Sequence, residues 1–129
     1  MLEQNIKLYL PMPISINTAY AWKAKRYKSP EYKKREKFAK MSLEEQEKIY
    51  KITGDNWLFV QYTFNFPIWN KTNKRKKIKD LANYEKVLSD FLAKNIEWFE
   101  DHKIKILFME KNDSKKEFVK VEITEIVEK

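Results

Sequence analysis

The chain has 129 residues, which suits one domain over residues 1–129, and its 15% aromatic content is ample for a core. It has no cysteine and one histidine, which excludes disulfides, thiolate metal sites and a multi-histidine zinc site within one chain; any metal would be held by oxygens, as Mg²⁺ and Mn²⁺ are. A net charge of +8, from 27 Lys+Arg against 19 Asp+Glu, favours a polyanionic partner.

The chain opens MLEQNIKLYLP, strand-like and with an early acid, and no apolar run nears membrane-span length. It does not look like a secretory signal, so a cytoplasmic protein without a membrane partner is expected. Gln4 to Leu10 alternates, with Ile6, Leu8 and Leu10 on one side, and Pro11 and Pro13 stop the strand. A polar, aromatic loop follows. Ser29-Pro30 is an N-cap and N1 pair for a helix to about Lys40. Ser42 and Glu45 read as the capping box of a second helix, which Gly54, the only glycine, can end. Trp57 to Phe66 is the clearest strand, ended by Pro67, and Asn70 to Lys79 is a basic loop. A third helix carries Leu81, Tyr84, Val87, Leu88, Phe91 and Leu92 on one face. Lys103 to Glu110 is a strand with Ile104, Ile106 and Phe108 inward. Asn112 to Ser114 turns it into a last strand, Phe118 to Val127, expected to pair with it as a hairpin. The expected architecture is α+β: a mixed four-stranded sheet with about three helices largely on one face, in the order β-α-α-β-α-β-β. An open sheet face or edge is left for a homodimer.

Three groups of residues bear on chemistry. Asp80 sits at the N-cap of the third helix, Asp90 lies on its flank, and Glu100 and Asp101 precede the next strand. Converging carboxylates repel one another unless a divalent cation bridges them. Without convergence, Asp80 is a cap, Asp90 pairs with Lys86 or Lys94, and Glu-Asp marks a turn. Asn83, Lys86 and Asp90 fall within roughly 60° of one another around the helix. Lys86 is thus either a phosphate ligand beside an acidic site or a solvated lysine. Lys71, Lys74, Arg75, Lys76, Lys77 and Lys79 lead into Asp80, bringing positive charge to the mouth of the acidic group. Tyr20, Trp22, Tyr27 and Trp69 are stacking surfaces for unpaired bases or else core residues, and His102 beside Asp101 is a weak general-base candidate.

The run KRKKIKDLANYEKVLSDFL followed by WFEDHKI resembles the RusA family of Holliday junction resolvases. The family pattern is a basic approach, then Asp-x-Asp-Asn-x-x-Lys-x-x-x-Asp-x-Leu, then paired acids before a strand. It falls here on Asp80, Ala82, Asn83, Lys86, Asp90 and Leu92, with Glu100-Asp101 as the pair. PMPISINTAYAWKAKRYKS is similar to the family's Pro-rich, Ser-x-Asn-x-x-Tyr opening loop. The resemblance implies a homodimeric, Mg²⁺-dependent (or Mn²⁺-dependent) endonuclease of phage or prophage type, acting in DNA recombination and repair. It would nick two opposed strands of a four-way junction, one per subunit, by attack of metal-activated water, with no small-molecule cofactor. By carry-over, Asp80 and Asp101 are metal ligands, with Glu100 and Asp90 auxiliary, and Lys86 faces the scissile phosphate. Asn17, Tyr20, Arg26, Lys28, Lys74, Arg75, Lys76, Lys77, Lys79 and Asn83 would hold DNA.

One position departs from the pattern: the second acid of Asp-x-Asp-Asn is Ala82. Alanine cannot bind a metal. Either Glu100 or Asp90 supplies the missing oxygen, or the chain binds junctions without cutting them. A third reading is a structural or protein-interaction domain whose charges are merely solvated.

Overall fold

The apolar-polar alternation builds the sheet. The protein, seen here as a computed structural model, is described over residues 5–13, 20–21, 27–28, 30–47, 56–70, 75–76 and 81–126. In chain order the elements are β1 (Asn5–Pro11), β2 (Tyr20–Ala21), β3 (Tyr27–Lys28), α1 (Pro30–Glu47), β4 (Trp57–Phe66), β5 (Trp69–Asn70) and β6 (Arg75–Lys76). There follow α2 (Leu81–Asn95), a 3₁₀ turn (Asp101–Lys103), β7 (Ile104–Asp113) and β8 (Phe118–Ile126). The main sheet has the order β1-β8-β4-β7, with β4 and β7 parallel and the other neighbours antiparallel.

Residues opposite one another in the sheet share a face. Three rows point inward: Ile6–Ile123–Val60, Leu8–Val121–Tyr62 and Leu10–Val119–Phe64, all buried. Leu43 of α1 and Leu88, Phe91 and Leu92 of α2 close over them, so both helices cover one face. α1 packs on β1, and α2 approaches β7. Arg35 Nη1 donates to the Met12 carbonyl at 2.9 Å. Gln46 bridges the outer edge of β1, accepting from Tyr9 N–H (2.7 Å) and donating to its carbonyl (2.8 Å). Its amide thereby satisfies backbone groups that an edge strand leaves unpaired.

Four expectations need correction. First, α1 is one helix from Pro30 to Glu47, so Ser42 and Glu45 do not start another. A capping box begins a helix only where the chain leaves helical geometry; Phe38-Ala39-Lys40-Met41 contains no breaker, and Gln46 Nε2 donates to the Ser42 carbonyl at 2.9 Å within the helix. The described main elements therefore run β-α-β-α-β-β, with two helices; Gly54 lies outside the described residues.

Second, β7 and β8 are not hairpin partners, because β4 lies between them. Val60, Tyr62 and Phe64 are fully buried, so β4 takes the centre of the sheet and is paired on both edges. The four-residue connection after Asp113 crosses the end of β4. There Ser114 N–H donates to the Phe66 carbonyl and Ile68 N–H to the Asp113 carboxylate, both at 3.0 Å.

Third, Ile106 and Phe108 do not point inward. The register shifts after Leu58, which faces Ile104, while Phe59 faces Ile106. One extra β7 residue reverses the alternation. Ile104 and Met109 pack on the core, whereas Ile106 and Phe108 join the open face. Fourth, the two expected loops contain short ribbons: β2 pairs with β3, and β5 with β6, which places Arg75 and Lys76 opposite Asn70 and Trp69.

Candidate active site

α2 follows the basic segment directly. It begins at Leu81; Asp80, read from the sequence as its N-cap, lies outside the described residues. Its apolar stripe seats it on the sheet, with the Tyr84 ring 6.2 Å from that of Phe64. One polar contact fixes its rotation: the Tyr62 hydroxyl and Ser89 Oγ are 2.9 Å apart and both residues are buried. Ser89 Oγ in turn donates to Glu85 Oε1 at 2.7 Å, so Tyr62 is the donor to Ser89. Burial pushes the Tyr62 hydroxyl far above its usual range; the Ser89 hydrogen bond opposes this, and the charges of Glu85 and Asp101 add to it. The hydroxyl therefore stays protonated and acts as a fixed donor.

After α2, Ile96 and Phe99 are both buried, and Phe99 N–H donates to the Ile96 carbonyl at 3.1 Å. These two anchors set the position of the acids that follow. Glu100 caps the 3₁₀ turn with extended backbone, and Lys103 N–H donates to its carbonyl at 3.0 Å. The Glu100 carboxylate lies 3.1 Å from His102 Nε2 and 3.6 Å from Lys103 Nζ. Asp101, the first residue of the turn, is exposed.

The chain matches the family of endodeoxyribonuclease RusA over residues 5–124. It belongs to the RusA family. That family consists of endodeoxyribonucleases that resolve Holliday junctions in DNA recombination. No curated protein matches the chain at a significant level. No helix among the described residues is long and apolar enough to cross a membrane.

The RusA acid-amide-lysine-acid ridge is partly in view. Lys86 and Asp90 form an exposed i,i+4 pair at 3.8 Å, the arrangement expected of solvated helix residues. Asn83 is half-buried in the first turn of α2. Glu100 and Asp101 adjoin in the turn before β7. Among the described residues, no three acids or histidines are gathered so as to hold a metal. Asn17, Arg26, Lys74, Lys77 and Lys79 lie outside the described residues, as do the side chains of Tyr20, Lys28, Arg75 and Lys76. The hydrogen-bonded trio of Tyr62, Ser89 and Glu85 was not foreseen from the sequence. A signal was available: a serine inside an apolar helix stripe, four residues after a glutamate, invites a buried hydrogen bond.

Proposed function

We propose that this RusA-family chain cuts four-way DNA junctions by paired nicks, one from each subunit of a homodimer, with Mg²⁺ or Mn²⁺ as cofactor. The observation that carries the reading is the family match over residues 5–124, which spans the acidic pattern and the basic segment before it. The donor chemistry fits a hard cation: with no cysteine and one histidine, the available ligands are carboxylate oxygens. The described acids do not complete such a site by themselves, so the reading requires Asp80 alongside Asp101 and Glu100. A cation there would supply a water of lowered pKa and a polarised phosphodiester. The chain's own residues would do the rest. Lys86 neutralises charge on the scissile phosphate. His102 and Lys103 orient Glu100. Arg75 and Lys76 on their ribbon, with Lys74, Lys77, Lys79, Asn17, Tyr20, Arg26, Lys28 and Asn83, hold the DNA arms.

The open face of the sheet supports dimerisation. Its rows read Asn5–Thr124–Phe59–Ile106, Lys7–Glu122–Gln61–Phe108 and Tyr9–Lys120–Thr63–Glu110. Tyr9, Trp57, Ile106 and Phe108 are each about half exposed. Two lysines balance two glutamates, so this face is neutral in a chain of net charge +8. It suits a protein partner better than DNA. At about 4.8 Å between strands and 3.3 Å per residue, four strands of about nine residues present about 600 Å², or about 1,200 Å² for two copies, within the range of stable interfaces.

The test is a cleavage assay on synthetic four-way junctions with Mg²⁺, Mn²⁺ or EDTA, after confirming a folded dimer. Paired, metal-dependent nicks are expected, and their absence in both metals ends the catalytic reading. Ala82 favours a second one, a junction-binding member that does not cut. It predicts salt-dependent binding that persists in EDTA, and cleavage gained by Ala82→Asp. Wild-type cleavage that Ala82→Asp does not improve rejects it.

A further inference from the structure

The outer face of α1 carries a charge pattern that the helix's own stability does not call for. A helix macrodipole favours acids in the first turn and bases in the last. In α1, Lys33, Lys34, Arg35, Lys37 and Lys40 precede Met41, opposed only by Glu31 and Glu36, whereas Glu44, Glu45 and Glu47 end the helix and its last turn holds no base. Lys33 and Lys37, at i,i+4 spacing, repel one another. Lys33, Lys34, Lys37 and Lys40 are exposed, and among the described residues none of them is in an ion pair. Two large apolar side chains lie among these cations. Phe38 and Met41 are 57% and 58% exposed, more than any other large apolar side chain among the described residues. At 100° per residue, Lys34, Met41 and Lys37 lie about 40°, 60° and 100° to one side of Phe38, while the buried Leu43 lies about 140° to the other.

Beside Phe38 is an open recess of about 390 Å³ lined by Pro11, Lys34, Arg35 and Phe38. That volume is in the range of small-molecule clefts. The Arg35 wall is fixed, because Nη1 donates to the Met12 carbonyl. The recess lies at the end of the sheet from which the basic segment departs. Arg35 meets Met12 while Gln46 meets Tyr9, so the first half of α1 stands at the C-terminal end of β1. In register, Pro11 faces Phe118, which in turn faces Asn65 at the C-terminal end of β4. The chain leaves β4 there on its way to the basic segment, and Tyr84, in the first turn of α2, lies over Phe64. Two strand spacings, about 10 Å, separate Pro11 from Asn65.

Cations alone suffice to hold a duplex arm by its phosphates. An exposed ring among them adds binding only to a base whose face is open, as at a branch point, where apolar side chains stack on bases or wedge between them. Glu44 and Glu45 confine the positive surface to the first half of α1, which disfavours an extended anionic lipid surface as the partner. We infer that this face of α1 is a nucleotide site: Phe38 and Pro11 stack on a base left unpaired at the branch point, Arg35 closes the recess, and Lys34 and Lys37 take the flanking phosphates. The inference rests on the reading of the chain as a junction nuclease, and it names a surface by which a junction is told from linear duplex.

The experiment measures the affinity of the intact protein for a synthetic four-way junction and for linear duplex of the same arm sequence, both in EDTA, with the urea midpoint as a folding control. Phe38→Ala should lower junction affinity about 10-fold, with duplex affinity and the urea midpoint near wild type, because the ring is exposed. Phe38→Trp should keep the junction preference. Lys34→Ala combined with Lys37→Ala should weaken binding to both shapes and reduce the salt slope by about 2. A junction carrying 5-iodouracil at the branch point should cross-link to α1 on irradiation. Wild-type junction affinity in Phe38→Ala, an equal loss on junction and duplex, or an unchanged salt slope in the lysine variant overturns the assignment. Binding to phosphatidylcholine–phosphatidylserine vesicles that Phe38→Ala abolishes, with junction preference intact, assigns the face to a lipid surface instead. The two levels are separable. If the wild type prefers junctions and Phe38→Ala does so equally, only the role of α1 fails. If the wild type binds junction and duplex alike, the junction-nuclease reading fails and the nucleotide site with it.

Discussion

The buried hydrogen bond between Tyr62 and Ser89 should show an asymmetry when it is cut from either end. Tyr62→Phe removes a donor and leaves Ser89 Oγ still bonded to Glu85, so the cost is that of one ordinary hydrogen bond, about 0.5–1.5 kcal/mol. Ser89→Ala removes the acceptor and strands the hydroxyl of Tyr62, a residue with no solvent exposure. Among the described residues no buried side-chain nitrogen or oxygen lacks a partner, so this variant introduces an unsatisfied one. Its cost is about 1–3 kcal/mol, with the loss of the Ser89–Glu85 bond in addition. The double variant removes both groups, so it should be more stable than the sum of the singles implies by about 1 kcal/mol. Urea denaturation of all four proteins measures this. If Tyr62→Phe costs as much as Ser89→Ala, or if the two effects add, the hydroxyl is not oriented as described and the anchoring of Glu85 loses its basis.

Asp101→Asn and Asp80→Asn should abolish cleavage and leave junction binding largely intact in a gel-shift assay, with Asp80→Asn also risking about 1 kcal/mol as an altered helix cap. Phe108→Asp should shift the protein from dimer to monomer in sedimentation velocity while leaving the urea midpoint nearly unchanged, because the side chain is half exposed and outside the core. The Lys120 hydrogen bond, at 2.8 Å, holds the Glu122 carboxyl below its ordinary value of 4.5, helped by Lys120's charge and by Lys7 and Asn5. This stabilisation is present above that value and is lost as pH falls through the depressed one, so Lys120→Met should flatten the acid limb of a stability-pH profile. Tyr62 acts at the other limit: the unfolded chain ionises it above 10.0 while burial keeps it protonated in the fold. Stability should therefore fall above that pH, by at most about 1.4 kcal/mol per unit for one proton, and Tyr62→Phe should remove that component.

Where alternation or stripe followed from one residue's neighbours, the sequence could be read directly. The bounds of β4 and the start of α2 are local consequences of Pro67 and of the apolar stripe beginning at Leu81. Non-local competition was not visible. Nothing near Asn112-Asp113-Ser114 announces that β4 will intervene between β7 and β8, because that choice reflects the burial of Val60, Tyr62 and Phe64 rather than the turn. The slip at Leu58 exists only in a pair of strands, so it reversed the facing of Ile106 and Phe108 without any mark in β7 itself. At the site, the Lys86–Asp90 pair was legible from its i,i+4 spacing. Which flank of α2 meets α1, through Lys94 and Glu36, was not, since it depends on tertiary packing.

On the proposed reading the charge distribution separates assembly from DNA binding, and salt should expose the separation. Lys71, Lys74, Arg75, Lys76, Lys77 and Lys79 concentrate six cations just before α2. If these meet about six phosphates, log affinity for a junction falls with log salt at a slope near −5, a loss of about 10³ between about 50 and 200 mM. Reversing Lys74, Arg75, Lys76 and Lys77 to glutamate should flatten that slope by about 4 and weaken binding to all DNA shapes alike. The open sheet face behaves differently. Its lysines and glutamates balance, Lys120 and Glu122 already pair within one copy, and its exposed rings contribute through area rather than charge. Dimer dissociation measured by sedimentation should therefore change little over the same salt range, in wild type and charge-reversed protein alike. A dimer that dissociates in step with DNA affinity would mean that the basic segments, not the sheet face, hold the two copies together.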